Sequence, residues 1–287
     1  MKLFPSDPRK RDCLKKLCVT AAAAGTVLSG YAAAENTFML RTVSYETDYP
    51  ELPRTVLISD LHRRHFGTGQ CRLLRKITDL QPELILIAGD LISRNVKDLG
   101  ETALLLRKLR AIAPVIYAEG NHETDLPPSL YHALCRIVPE SGALFLRNSY
   151  THFKGIPIAG LSLPPAYYRG GKRFGYCGKY RCTKQTMLEL LGKCPENTLL
   201  LAHNPLFFPA YAEWGAKLVL SGHVHGGSVR LPGIGGLLSP ERCFFPRYDK
   251  GCFRQGDTEM IVSGGLGKLR LFNPPEICLL TAGNSKK

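Results

Sequence analysis

No two cysteines of this 287-residue chain stand at C-x-x-C spacing, so a zinc site built on paired thiolates has little support. Internal repeats, low-complexity tracts and composition-biased linkers are also missing, and nothing divides the sequence beyond its first 34 residues. With 44% hydrophobic residues over this length, a core can be filled, which excludes disorder and collagenous, coiled-coil or miniature disulfide-scaffold architectures. Acidic residues are short: 24 Asp+Glu face 38 Lys+Arg, a formal charge of +14. That deficit asks for an anionic partner, and charge alone does not choose among nucleic acid, a membrane surface and a phosphorylated substrate. A strongly apolar run of the roughly 20 residues that span a bilayer is lacking as well.

The nearest approach to such a run lies at the N-terminus. Residues 1–34 carry six Lys/Arg against two Asp, then Cys18 to Gly30, rich in Ala and Gly, then Ala32-Ala33-Ala34 before Glu35. Charged, apolar and small-residue regions in that order read as an export signal, with residues 35–287 as the mature domain. Lys10-Arg11-Asp12-Cys13-Leu14 resembles a twin-arginine leader, although Lys replaces the first Arg and Cys the usual Phe. The expectation is an exported protein, in the periplasm or on the outer face of the cytoplasmic membrane. A basic N-terminal helix on a cytoplasmic protein is the alternative. In an oxidising compartment Cys177, Cys182 and Cys194 are close enough to staple one excursion, whereas Cys278, inside an apolar run, reads as a core residue.

Short apolar runs alternate with helical spacing along the mature chain. Strands are predicted at 54–59, 83–88, 114–119, 156–161, 198–202, 217–221, 259–263 and 276–281, and helices at 70–80, 101–112 and 184–193. A further helix ends at Ile137, with Ser129 as its candidate N-cap. This is the pattern of βαβ units, hence an α/β fold with largely parallel strands covered on both faces. Residues 164–183 (PPAYYRGGKRFGYCGKYRCT) have neither period, hold five aromatics and five Lys/Arg, and are predicted as a surface loop.

Five polar clusters follow apolar runs: Ser59-Asp60-Leu61-His62, Gly89-Asp90, Gly120-Asn121-His122-Glu123, Ala202-His203-Asn204-Pro205 and Gly222-His223-Val224-His225-Gly226-Gly227. In open parallel sheets ligands gather at the carboxyl ends of strands, so these clusters are predicted to converge. Two Asp, four His and one Asn then offer hard oxygens and imidazoles without a thiolate, a set suited to Mn, Fe or Zn and poorly suited to Ca. Asp60-x-His62 and His223-x-His225 each put two side chains on one side of an extended backbone. Asp90 is the natural bridge between two metals, which could hold a hydroxide between them to attack a phosphoryl group. Each cluster alone is ordinary turn chemistry; five in order are not. His65, His132 and His152 match no cluster and are expected in surface or structural roles.

In these five blocks the sequence resembles the calcineurin-like metallophosphoesterase family, whose pattern is D-x-H, G-D, G-N-H-[DE], a lone H and G-H-x-H. Tyr248-Asp-Lys-Gly251 and Ser263-Gly-Gly-Leu-Gly267 further resemble the tail of an exported bacterial phosphodiesterase subgroup. The resemblance implies a layered fold with sheets in the centre and helices outside. It also implies Asp60, His62, Asp90 and His225 at one metal, Asp90, Asn121, His203 and His223 at the other, and His122 as general acid. The D-R-G of the protein Ser/Thr phosphatase branch is absent after Gly89-Asp90, which disfavours phosphoprotein. Glu123 stands where many bacterial members carry Asp, a change expected to leave the metals alone.

The implied activity is that of a dimetal phosphodiesterase or pyrophosphatase acting on a phospholipid-like or nucleotide-sugar-lipid substrate, with peripheral membrane contact. Some proteins of this resemblance cleave the pyrophosphate of UDP-2,3-diacylglucosamine, a specific candidate reaction. That reaction is expected at the cytoplasmic membrane face, whereas the leader points outward. Arg169, Lys172 and Arg173 in the loop are candidates for holding the anionic substrate. A nuclease is the enzymatic alternative, disfavoured for an exported protein, and a catalytically inactive metal-binding module is the alternative of another class.

Overall fold

The computed structural model describes residues 8–169, 171, 178–231, 233–239, 244–268 and 270–283. Strands in chain order are β1 (Arg41–Thr47), β2 (Thr55–Ile58), β3 (Leu84–Ala88), β4 (Val115–Ala118), β5 (Leu144–Leu146), β6 (Ser149–Phe153), β7 (Ile156–Leu161), β8 (Leu199–Ala202), β9 (Leu218–Ser221), β10 (Arg230–Leu231), β11 (Gly235–Gly236), β12 (Gly251–Gln255), β13 (Thr258–Val262) and β14 (Glu276–Ala282). Helices are α1 (Pro8–Phe38), α2 (Cys71–Asp79), α3 (Gly100–Ile112), α4 (Asn121–Thr124), α5 (Pro128–Glu140), α6 (Lys184–Leu191) and α7 (Phe208–Trp214).

Two six-stranded sheets form the centre, ordered β1-β14-β2-β3-β4-β5 and β12-β13-β9-β8-β7-β6. Strands β2 to β5 are mutually parallel, as are β13, β9, β8 and β7; β14 against β2, β12 against β13 and β6 against β7 are antiparallel. Alternation along each strand divides the apolar residues between two layers. Leu84, Leu86 and Ala88 of β3 meet Leu199, Leu201, Leu218 and Leu220 between the sheets. Ile85 and Ile87 face outward with Leu73, Ile77, Leu106 and Leu109 of α2 and α3. On the other side Leu200 and Val219 pack with Met187, Phe208 and Tyr211 of α6 and α7. The result is a helix, sheet, sheet, helix sandwich. Both faces of each central strand are covered, so the runs read as continuously apolar and give no sign of a second sheet. Cys278 is fully buried between the sheets, as expected.

Several local expectations change. Helix α5 begins at Pro128, behind Pro127, with no side-chain cap, so Ser129 caps nothing; proline at the first turn loses no intrahelical hydrogen bond. Cys182 and Cys194 carry free thiols, and Cys177 lies outside the described residues. Helix α1 continues through Ala32-Ala33-Ala34 to Phe38 because alanine sustains a helix; Asp12–Phe38 is by length and composition sufficient to cross a membrane. The shortfall in length inferred from the apolar run alone therefore does not hold.

The far end of α1 is joined to the sandwich. Glu35 is fully buried and its Oε2 accepts the Phe272 N–H at 2.8 Å. Asn36 Nδ2 donates to the Arg270 carbonyl at 2.7 Å, and Arg64 donates to the Asn36 carbonyl. Arg72 donates to the carbonyls of Thr37 and Phe38. The last carbonyls of the helix, which have no partner within it, are thus met by two arginines from elsewhere in the chain.

Candidate metal centre

Each predicted metal ligand, and His122, lies just beyond a strand: Asp60 and His62 after β2, Asp90 after β3, Asn121 and His122 after β4, His203 after β8, and His223 and His225 after β9. The parallel course of these strands brings all five turns to one edge of the sandwich. Asp60 (φ 54°), His62 (φ 52°), Asp90 (φ 53°), His223 (φ 70°) and His225 (φ 56°) all have left-handed backbones. For residues bearing a Cβ this costs on the order of 1–3 kcal/mol each, and such strain collects at functional sites. The extended backbone expected for Asp60-x-His62 and His223-x-His225 is therefore not found. Asp60 and His62 still meet, through the turn, whereas His223 and His225 diverge to different groups.

Donor atoms of Asp60, His62 and His225 lie within 4.8 Å of one another, as do those of Asp90, His203 and His223, and those of His62, Asp90 and His122. His62 Nε2 and His225 Nε2 face each other at 3.3 Å, His225 Nε2 is 3.4 Å from Asp60 Oδ1, and His203 Nε2 is 3.2 Å from Asp90 Oδ2. Asp90 is shared between two of the groups and is 2% exposed. Asn121 Oδ1 and His203 Nε2 are buried without a hydrogen-bond partner among the described residues. His203 Nδ1 is 2.8 Å from the Ala88 carbonyl, which fixes a proton there and turns Nε2 toward the site. Buried carboxylates, imidazoles and an orphaned amide oxygen in this arrangement fit divalent cations.

Burial opposes ionisation of both aspartates, but His225 and His203 beside Asp60, and His203, His122 and His62 beside Asp90, outweigh it and hold both carboxyls well below the ordinary range. For His203 burial is in turn outweighed by Asp90 and Asp60, and its pKa is raised. His122 goes the other way: burial, only partly offset by Asp90, lowers it to about 4. Its Nδ1 accepts the Arg94 N–H at 3.2 Å, so in the neutral ring Nε2 carries the proton, 3.9 Å from Asp90 Oδ2. Distance alone does not separate His122 from the other imidazoles; the hydrogen bond at Nδ1 marks its Nε2–H as a donor toward the site.

The loop beginning at Pro164 reaches this edge. The Tyr168 ring lies 5.3 Å from that of His223 and 6.3 Å from that of His203. Arg169 Nη2 pairs with Asp125 Oδ1 at 2.8 Å, and Arg94 Nη1 with Asp125 Oδ2 at 3.0 Å, so one carboxylate gathers two guanidinium groups near His122. Lys172 and Arg173 lie outside the described residues. His65, His132 and His152 are exposed and belong to none of the donor groups.

Three supporting residues escaped the sequence reading. The Glu123 carboxylate, buried completely, accepts the N–H groups of Asp90, Gly120 and Ile92 and the Tyr117 hydroxyl. Asn273 Nδ2 donates to the carbonyls of His225 and Gly227 at 2.6 and 2.9 Å. Gly265 (φ 71°) lies so close to Asp60 that a Cβ there would stand 2.6 Å from Oδ2. Glu123 and Gly265 sat inside quoted motifs, but Asn273 had no signal.

Residues 53–227 match the calcineurin-like phosphoesterase family. The uncharacterized metallophosphoesterase YkuE of Bacillus subtilis is 26% identical over 283 residues, covering 91% of this chain and 93% of its own. The phosphodiesterase YaeI of Escherichia coli is 26% identical over 204 residues, 70% of each chain. The UDP-2,3-diacylglucosamine pyrophosphatase LpxG of Chlamydia muridarum is 24% identical over 277 residues, covering 79% of this chain and 82% of its own.

Proposed function

Because the chain belongs to the calcineurin-like phosphoesterase family and is thereby a phosphoester hydrolase, we propose that it is a dimetal phosphodiesterase or pyrophosphatase acting on a lipid-linked phosphoester. The observation that carries this reading is the donor group of Asp60, His62 and His225 together with that of Asp90, His203 and His223, with Asn121 Oδ1 buried and orphaned. Asp60, His62, Asp90 and His225 would hold one cation, and Asp90, Asn121, His203 and His223 the other. When bound, the two cations (Mn, Fe or Zn) supply charge neutralisation at the phosphoryl oxygens and an activated water.

The chain's own residues do the rest. Asp60 and Asp90, both ionised, fix the negative charge of the site, and Asp90 Oδ1 also accepts the His122 N–H at 2.8 Å, which orients that turn. His122 presents Nε2–H to the leaving oxygen. An anionic phosphoester beside the ring favours its protonated form, so substrate binding opposes the effect of burial and prepares the proton for transfer. Arg94 and Arg169, held by Asp125, face an anionic substrate from the same side. Lipid-linked substrates are supported by the UDP-2,3-diacylglucosamine pyrophosphatase activity of the LpxG relative.

Export, with residues 1–34 as leader and 35–287 as the catalytic domain, is part of the same proposal. N-terminal sequencing of the protein from its host tests it, and an intact residue 1 would count against cleavage near Ala34.

A screen of the metal-reconstituted full chain against phosphomonoesters, phosphodiesters, nucleotide-sugar lipids and nucleic acid tests the activity. Preference for diesters or lipid-linked pyrophosphates is expected. Faster turnover of DNA or RNA would replace this reading with a nuclease, and metal binding without any hydrolysis would replace it with a binding module.

A further inference from the structure

We propose that a cavity of about 470 Å³ beside His62 receives the hydrocarbon part of an amphiphilic phosphoester whose phosphate sits at the metal centre. The inference rests on the phosphoesterase reading of that centre and adds to it a site for the non-reacting part of the substrate. His62 belongs to both places: it lines the cavity and is a member of two donor groups. A ligand engaged at the metals therefore has this cavity beside it, across His62.

The floor selects for hydrocarbon. Leu61, Leu91, Ile92 and Leu105, each 5% exposed or less, line it together with Val96. Leu104 stands on the wall at 47% exposed, although the neighbouring leucines of α3 are buried in the outer core. A cavity of this size lies in the range that encloses small ligands and substrate portions. Its polar rim carries Arg63 and Lys97 against Asp98 and Glu101. The two acids are engaged locally: Asp98 Oδ1 accepts the Gly100 N–H at 3.0 Å, and Glu101 lies 4.0 Å from His65 Nε2.

The cavity also adjoins the root of α1. Arg64 lines it, donates to the Gly267 carbonyl at 2.7 Å and donates to the Asn36 carbonyl in the last turn of α1. The last turn of α1 is therefore fastened to the wall of the cavity.

The test measures binding of ethyl, butyl and hexyl phosphate to the manganese-loaded full chain in a neutral detergent, by calorimetry. Affinity is expected to rise by up to about fourfold per added methylene, and by at least about tenfold from ethyl to hexyl phosphate. In a Val96→Asp, Leu104→Asp double variant that gain should shrink to within about twofold, while Ile234→Asp, an apolar position exposed elsewhere, should keep it. If the double variant does not melt like the parent, Leu104→Asp alone carries the comparison. A parent gain below about twofold, a gain unchanged in the variants, or equal loss in Ile234→Asp would overturn the proposal. So would tighter binding of adenosine monophosphate than of hexyl phosphate at this cavity. Hydrolysis of bis(p-nitrophenyl) phosphate in the same samples reads the underlying function separately. Hydrolysis without the chain-length gain defeats the cavity alone, and the gain without hydrolysis defeats the phosphodiesterase reading alone.

Discussion

The carboxylate of Glu123 accepts the backbone N–H of Asp90 at 2.9 Å. One buried side chain thereby ties the turn after β4 to the turn after β3, and the same oxygen accepts the Gly120 N–H at 2.7 Å. Asp90 answers by accepting the His122 N–H, so the two turns are laced in both directions. The position of the shared aspartate is set by this exchange as much as by its own strand.

Replacing Glu123 with Ala should lower metal affinity by about 10- to 100-fold, the usual cost of losing a group that orients a ligand. Glu123→Gln, which keeps an acceptor oxygen, should recover part of it. Metal titration of the two variants checks this, and affinities equal to that of the parent would show that the lacing is incidental.

Alanine at Gly265 should damage the site without dismantling the sandwich. Its Cβ would stand 2.6 Å from Asp60 Oδ2, and the residue's φ of 71° disfavours any side chain. Asp60 also accepts the His223 N–H at 3.0 Å, so displacing it disturbs a second turn. The far-UV spectrum should stay native while metal affinity falls; unaltered metal binding would refute the close fit.

For His122 the informative measurement varies the leaving group. His122→Gln should lower kcat by about 10²–10⁴-fold for an alkyl ester, whose leaving oxygen needs a proton. With a nitrophenyl leaving group the loss should be much smaller. Equal losses on both esters, or failure to bind metal, would place His122 among the ligands instead.

Glu119 supplies a test in pH. Burial raises its pKa, only partly countered by hydrogen bonds from Ser162 and Tyr131. A carboxyl held above its unfolded value stabilises the fold at low pH, and that contribution is lost as pH rises through the folded value. Glu119→Gln removes the dependence. The melting temperature of the variant minus that of the parent should therefore grow more positive from about pH 4 to about pH 8. A difference that stays flat or falls over that range would contradict the raised pKa.

The sequence by itself determined the strands that carry the site. Short β-branched runs such as Leu84-Ile-Leu-Ile-Ala88, bounded by turn residues, fit a strand buried on both faces, and a polar residue directly after such a run falls at the strand end. Asp60, Asp90, Asn121, His203, His223 and His225 could therefore be named before any coordinate was known. The apolar runs themselves did not show which strands belong to which of the two sheets, since a run buried on both faces looks the same whether helix or sheet covers it; the tertiary structure decided that.

Tertiary structure also sent His223 and His225 to different donor groups, through left-handed backbones that a two-residue spacing does not record. It brought Tyr168 against His223, joined Arg64 and Arg72 to the end of α1, and gathered four donors onto Glu123. Periodicity reports only whether a side chain is buried, whereas these contacts depend on which distant residue buries it, and that is fixed when the layers close on one another.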